Sequence, residues 1–439
     1  MDLLKSIFKG DKVIWIIFLC LCLISIIEVF SAASTLTYKS GDHWGPITQH
    51  SIILMVGAVV VVFLHNVPYK WFQVFPVFLY PISLVLLAFV TLMGIITGDR
   101  VNGAARWMTF MGLQFQPSEL AKMAVIIAVS FLLSKRQDEE GANPKAFKYI
   151  MILTGLVLLL IAPENLSTAM LLFGVVFMMM FIGRVAAKKL LLLAGGLVLI
   201  VALGVGTVVA IPAKTLHNTP GLHRLETWQN RIKGFFDKDE VPAAKFDIDK
   251  DAQIAHARIA IATSHVVGKG PGNSIQRDFL SQAFSDFIFA IVIEEMGLIG
   301  GIFVVFLYLC LLMRAGRIAQ KCERTFPAFL VMGIALLLVS QAILNMMVAV
   351  GLFPVTGQPL PLVSKGGTST LINCAYIGMI LSVSRYTAHL EEQKEHDAQL
   401  QLQIETNAAD SEAQAAAEPT AQILNSDAKF EDENDINKG

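Results

Sequence analysis

Residues 285–314 read SDFIFAIVIEEMGLIGGIFVVFLYLCLLMR. The run is almost wholly apolar and long enough to cross a bilayer as a helix, which takes about 20 residues. It opens on Asp286 and carries Glu294 and Glu295 inside. An ionised carboxylate beside hydrocarbon costs roughly 2.5–3.5 kcal/mol on insertion scales. A chain that keeps Asp286 at a helix mouth uses it either to anchor the helix at the water interface or to do chemistry there. Glu294 lies about two helical turns from Asp286, so the two are expected to face one cavity.

The same pattern recurs on both sides of this run. The 439-residue chain is 55% hydrophobic and only 16% charged, with a mean hydropathy of +0.61, which excludes an ordinary soluble domain. Ten apolar spans fit, at approximately 13–33, 50–66, 74–97, 118–134, 147–162, 166–183, 188–212, 283–313, 325–350 and 369–386. The fold class expected is therefore an all-α polytopic membrane protein with about ten transmembrane helices. Lys5, Lys9, Lys12, Lys70, Lys135, Arg136, Lys145, Lys148, Arg184, Lys188, Lys189, Arg314, Arg317, Lys321 and Arg324 all fall on one side under this count. The positive-inside rule makes that side the cytoplasm and puts both termini there. The first run lacks a small-residue cleavage site and reads as a retained helix. The five cysteines suggest neither a disulfide nor a zinc site. No Walker, dinucleotide or His-based metal motif is present, so no nucleotide is expected.

Residues 1–12 form a cytoplasmic N-terminus and 13–386 the membrane domain, with a large extracytoplasmic loop at 213–282 between helices 7 and 8. That loop, roughly 70 residues, is too long for a plain connector. It holds an amphipathic pattern from Ala252 to Ile261 and a Gly-rich turn from Gly268 to Asn273, and is expected to be an ordered cap. Residues 387–439 are acidic. A frayed helix fits 390–404, and disorder is expected beyond it.

Four polar clusters fall on the outer side. Arg106 and Trp107 precede Pro117-Ser118-Glu119-Leu120-Ala121-Lys122, where Pro117 suits a helix start and Lys122 shares a face with Glu119 or Ser118. Lys122 is then either half of an ion pair or part of a phosphate site. Pro163 to Thr168 reads as a tight hairpin with an N-cap. Asp286 with Glu294 and Glu295 is the third cluster. The fourth is Phe353 to Ser369, too rich in Pro and Gly for a helix and too apolar for a surface loop. Such backbone is tolerated at membrane depth only inside protein or along a watery cavity. Its N–H groups, with the start of the last helix, would make an anion-binding nest from Ser364, Lys365, Gly366, Gly367 and Thr368. Gln341 and Asn345, one turn apart, could brace it.

Three of these stretches, in order, resemble the FtsW/RodA (SEDS) family of peptidoglycan glycosyltransferases: Gly103 to Lys122, Ser285 to Gly297 and Pro354 to Gly367. The similarity runs from about Asp11 to Arg385. It implies a SEDS-type fold and polymerisation of lipid II on the outer face of the cytoplasmic (inner) membrane. It implies Asp286 as general base, Arg106 and Lys122 as phosphate-binding cations, and Glu119 orienting Lys122. A divalent cation, Mg or Mn, would accompany the substrate pyrophosphate, its ligands in the chain unknown. Implied partners are lipid II, undecaprenyl-linked glycan, a single-span class B penicillin-binding protein and other divisome or elongasome proteins, and no nucleic acid. The acidic tail and large loop lean towards the FtsW-like, cell-division branch over RodA-like cell-shape members. This chain departs from the family pattern at Ser281 to Ser285, at Pro163 to Thr168, and at Lys365, which replaces a tyrosine. The competing reading is a lipid II flippase or other polyisoprenoid-lipid transporter, with a silent scaffold as a third.

Overall fold

The computed structural model describes residues 9–32, 45–96, 108–110, 113–138, 141–210, 229, 251–280 and 285–435. It divides into two units, Met1–Arg385 and Tyr386–Gly439. Among the described residues the helices are α1 (Lys12–Ala32), α2 (Gly45–Asn66), α3 (Phe75–Ile96), α4 (Pro117–Lys135), α5 (Pro144–Ile161), α6 (Leu166–Ile182), α7 (Ala187–Ala210), α8 (Asp251–Thr263), α9 (Ile288–Lys321), α10 (Thr325–Ala349) and α11 (Gly367–Asp435). Two small antiparallel ribbons accompany them, pairing Met108 with Phe115 and Gln137 with Ala142. Nine of the helices have the length and hydropathy to cross a membrane, and α6, with 17 residues, is a shorter apolar tenth. The chain is an all-α multi-pass membrane protein.

Local signals start these helices where the chain chemistry allows. Asp11 caps α1, its Oδ1 accepting from the N–H of Val13 at 2.9 Å. Asn143 and Asn165 cap α5 and α6 through the N–H groups of Lys145 and Thr168. Such caps satisfy donors that a helix start leaves orphaned. Pro117 and Pro144 begin α4 and α5, where a missing N–H costs nothing. α4 is buried on nearly every face, including Ala121, Val125, Ile126, Val129 and Leu133. A helix with no exposed face belongs to the interior. α7 is the opposite case, its Leu191, Leu192, Val198 and Ile200 all exposed, as side chains facing lipid would be.

α9 is broken at Gly297, whose φ of 73° and ψ of −175° are non-helical. The segment after α8 repairs the break. Lys269 and Gly270 donate their N–H groups to the carbonyls of Glu294 and Glu295, at 3.0 and 2.8 Å. Leu298 and Ile299 donate in turn to the carbonyls of His265 and Val266. The freed backbone groups of the kink thus find partners inside the protein, as bilayer depth requires. A Cβ on Gly297 would run into the carbonyl of Val266, and one on Gly268 into that of Glu295. Both glycines are required by close approach of two backbones and by positive φ.

The break divides α9 into two differently buried parts. Ile288 to Ile293 are buried, whereas Leu298, Ile299, Ile302 and Phe303 are exposed. The exposed part of α9 therefore starts after Gly297, and a buried half-helix lies between it and Asp286.

In the second unit the helix continues through Asp435, where the sequence suggests fraying and then disorder. Ala, Glu and Gln are strong helix formers, and local propensity continues the helix without a core. Leu400, Leu402 and Ile404 are exposed on it.

Candidate active site

Asp286 lies in the turn before α9 and is half-buried. Its Oδ1 accepts a hydrogen bond from the Ser285 hydroxyl at 3.0 Å. The backbone on either side is held from two other elements. Asn345 on α10 donates its amide to the Asp286 carbonyl at 2.9 Å, and Ser364 donates its hydroxyl to the Ser285 carbonyl at 2.7 Å.

The irregular segment 353–366 lies against this turn. Leu360, Leu362 and Val363 are buried, and Gly357 and Leu362 have φ of 67° and 65°. A leucine in the left-handed region is uncommon and persists only where its surroundings over-determine it. Here they do. Tyr308 donates to the carbonyl of Pro361, Ser25 to that of Val363 (2.8 Å) and Gln341 to that of Pro359 (3.0 Å). Asn345 also donates to the carbonyl of Gln358 at 2.7 Å, and Gln358 donates to Thr168 at 2.6 Å. Gln341 and Asn345 do brace this segment.

Lys122 is fully buried, with its ammonium 2.8 Å from Glu119 and 2.8 Å from the Gln341 Oε1. Of the two alternatives for Lys122, the ion pair is the one formed. An enclosed ammonium cannot touch an anion directly, so its influence runs through Glu119 and Gln341. Beside the first turn of α4 is a small cleft of about 20 Å3, lined by Leu87, Val90, Pro117, Ser118, Ile161 and Asn165. The 162–168 hairpin thus borders the same turn that carries Glu119.

The expected anion nest is smaller than the sequence suggests. Val363 and Ser364 donate their N–H groups to Leu360, and Leu360 donates to the Ser364 hydroxyl. Those groups are spent within the turn, and the Ser364 hydroxyl is spent on the Ser285 carbonyl. What remains of the nest is the N-terminus of α11, with Gly366, Gly367 and Thr368. Thr368 accepts from the N–H of Gln116 at 3.4 Å, which ties that N-terminus to the start of α4. Lys365 is half-buried next to it, and burial lowers its ammonium below the usual lysine range.

Residues 11–389 match the model of the FtsW/RodA/SpoVE family, described as a cell cycle protein. The chain belongs to this family. It is 32% identical over 377 residues to a protein of Trichlorobacter lovleyi named probable peptidoglycan glycosyltransferase FtsW, covering 85% of this chain and 93% of that one. A Halomonas elongata protein of the same name is 31% identical over 373 residues, with coverage of 83% and 88%. Among solved structures, a chain of a peptidoglycan synthase complex matches with a TM-score of 0.66 at 24% identity, over 87% of this chain and 99% of that one. The rod shape determining protein RodA of Thermus thermophilus matches with a TM-score of 0.58 at 23% identity, over 86% and 97%. Both structural likenesses concern the fold.

Two site expectations for this FtsW/RodA/SpoVE protein need restating. Arg106 lies outside the described residues, as do Ser281 to Phe284. Glu294 and Glu295 do not share a cavity with Asp286; they hold the loop that repairs the kink. Glu294 accepts from Lys269 (2.5 Å), the Ser274 hydroxyl (2.5 Å) and the N–H groups of Ile275 and Gln276. Glu295 accepts from the N–H groups of Gly272 and Ser274 and from Ser31, with Arg277 3.9 Å away. Asp286 lies in the turn before α9, which begins only at Ile288, so helical spacing does not carry from it to Glu294, and the loop's donors converge on the two glutamates.

Sequence reasoning passed over three buried polar residues near the site. Ser25 and His50 hydrogen-bond at 2.8 Å beneath Val363. Glu28, three residues on from Ser25, is fully buried, and among the described residues its carboxyl oxygens have no hydrogen-bond partner. The signal that could have found them is the one that picks out Asp286, a costly polar group inside an apolar run.

Proposed function

We propose that this protein is a peptidoglycan glycosyltransferase that polymerises lipid II into glycan strands on the outer face of the cytoplasmic membrane during cell division, with Asp286 as general base. Family membership and relatives named for that activity support the reaction. The observation that carries the base role is the state of Asp286: a half-buried carboxylate whose backbone is held on both sides by Asn345 and Ser364.

In this reading the acceptor sugar's 4-hydroxyl gives its proton to the Asp286 carboxylate as its oxygen attacks the anomeric carbon of the donor. The bond from that carbon to undecaprenyl pyrophosphate breaks, and the pyrophosphate leaves with the electron pair. A positioned base contributes typically 10²–10⁴-fold to such a step. The α11 N-terminus and Lys365 supply positive potential for the leaving group. Lys122 adds its charge from behind Glu119 and Gln341. Among the described residues no group of three His, Cys, Asp or Glu side chains is arranged to hold a metal ion. A divalent cation bound with the substrate pyrophosphate would neutralise the charge of the leaving group. Charge distribution supports cytoplasmic termini. A matched chain comes from a peptidoglycan synthase complex that coordinates polymerisation and crosslinking, which supports a penicillin-binding partner for crosslinking here, with division proteins as further partners.

The test is polymerisation of labelled lipid II by the chain purified with its cognate transpeptidase, in a divalent cation, comparing wild type with Asp286→Ala and Asp286→Asn. Glycan strands from wild type and none above background from the variants is the expected result. Wild-type polymer from both variants would remove Asp286 from the reaction. Transfer of lipid II between leaflets without polymer would favour a transporter.

A further inference from the structure

We propose that Asn345 and Ser364 are positioning residues for Asp286: they capture the two peptide carbonyls that flank its α-carbon and so set where its carboxylate points. The inference rests on the reading of Asp286 as base.

A peptide unit is planar, so a hydrogen bond to its carbonyl fixes the orientation of the whole plane. Ser364 holds the plane before Asp286 and Asn345 the plane after it, at 2.7 and 2.9 Å. With both planes held, the Cα–Cβ bond of Asp286 has one direction, and only the side-chain torsions remain. The Ser285 hydroxyl, 3.0 Å from Oδ1, biases those. Neither Asn345 nor Ser364 is hydrogen-bonded to the carboxylate, so neither is a catalytic residue.

The chemistry of the two groups fits this task. Asn345 directs its Nδ2 to two carbonyl oxygens, those of Asp286 and Gln358. The reversed amide would set oxygen against both, so the orientation is determined. The other end of the amide, Oδ1, is buried and has no hydrogen-bond partner among the described residues. The side chain is arranged for the carbonyls rather than for its own satisfaction. The Ser364 hydroxyl donates to Ser285 while accepting from the N–H of Leu360 at 2.8 Å. Through these contacts the turn of Asp286 is joined to segment 353–366, which Tyr308, Ser25 and Gln341 hold in turn. Gln341, one turn from Asn345, also accepts from Lys122. The carboxylate and the buried cation pair therefore hang from one rigid piece of backbone.

The experiment is steady-state lipid II polymerisation by the chain in complex with its transpeptidase, measured across pH. Misplacing a reacting group by about 1 Å can cost on the order of 100-fold. Asn345→Asp, which keeps the size but sets oxygen against two carbonyls, should lower kcat by roughly that factor, with the KM for lipid II nearly unchanged. Asn345→Ala and Ser364→Ala should lower kcat less and displace the acid limb of the pH profile, and Ser364→Thr, which keeps a hydroxyl, should recover most of the loss. In an Asp286→Glu background, where the carboxylate reaches further, the cost of Asn345→Ala should shrink, because the two changes act on one group. Wild-type kcat and pH profile in folded, partner-bound Asn345→Ala and Ser364→Ala would overturn the proposal. So would losses that fall on KM alone. Full activity in Asp286→Asn is a different result, which removes the base reading itself. If Asn345→Asp does not fold, the Ser364→Ala and Ser364→Thr pair still decides.

Discussion

Asp286 and the pair Glu294–Glu295 are carboxylates within ten residues of one another, the first in the turn before a broken helix and the pair on it, yet the protein treats them oppositely. Glu294 and Glu295 are fully buried and surrounded by loop donors. Asp286 is half-buried, and the structure grips its backbone from both sides. A carboxylate whose oxygens are all used by the fold is an anchor. A half-buried carboxylate whose main chain is fixed on both sides is held in place for chemistry.

The largest expected effect separates the two kinds. Asp286→Asn should abolish most polymerisation, by roughly 10²–10⁴-fold, while leaving the thermal midpoint in detergent within a degree or two of wild type. Glu295→Ala should do the reverse at first sight, because it strands Ser31, Arg277 and two backbone N–H groups. Breaking such a buried arrangement costs about 3–5 kcal/mol, which calorimetry or a detergent melt will show. A thermal loss in Asp286→Asn equal to that in Glu295→Ala would erase the distinction.

Next in size is the kink that separates the two regions. Gly297→Ala and Gly268→Ala each place a methyl against a carbonyl of the opposing backbone, at positive φ. Left-handed backbone alone costs a non-glycine residue about 1–2 kcal/mol, and main chain cannot step aside as a side chain can. Gly272→Ala, also at positive φ but with nothing near its Cβ, should lose only the first part. Melts of the three variants side by side measure the worth of close approach. Equal losses would mean that the backbones separate freely.

A third comparison lies within the site. Lys122→Met leaves Glu119 charged, buried and unpaired, and should cost about 3–5 kcal/mol. Lys122→Met with Glu119→Gln should cost less than Lys122→Met alone, because the stranded charge is gone. Additive losses in the double variant would show that the two residues act independently.

These regions were not equally legible in the sequence. The spans were, since apolar runs of about 20 residues have one interpretation in a bilayer. Asp286, Gln341 and Asn345 were legible for the converse reason: polar groups in such runs are costly and need an explanation. The same argument isolates Glu28 and His50. Spacing misled about Glu294, because helical periodicity holds only while the helix does, and Asp286 lies in the turn before the helix begins at Ile288. Nothing local announces that Gly268 and Gly297 meet. Each alone reads as a turn or a flexible point, and their meaning comes from a backbone pairing formed only on folding. Ser364 was expected in an anion nest, whereas its hydroxyl is spent on the Ser285 carbonyl, which the folded hydrogen-bond network alone reveals.

The smallest effect concerns Lys365, where the family pattern has tyrosine. Burial lowers its proton affinity below that of an exposed lysine, so the unfolded chain binds this proton more tightly than the folded one. Below the folded pKa both states are charged, and the cost of burying the ammonium is fully present. Between the folded pKa and the ordinary value of 10.5 the folded state has lost the proton and the unfolded state keeps it, so stability rises with pH. Above 10.5 the difference is gone. Lys365→Met should therefore be the more stable form near neutrality, and its advantage should fade as pH approaches 10.5. Melting curves of the two proteins from neutral to alkaline pH check this. Parallel curves would mean that the ammonium is as well solvated in the fold as outside it. The replacement of tyrosine would then leave no mark on stability, and the place to look for its effect would be the polymerisation rate.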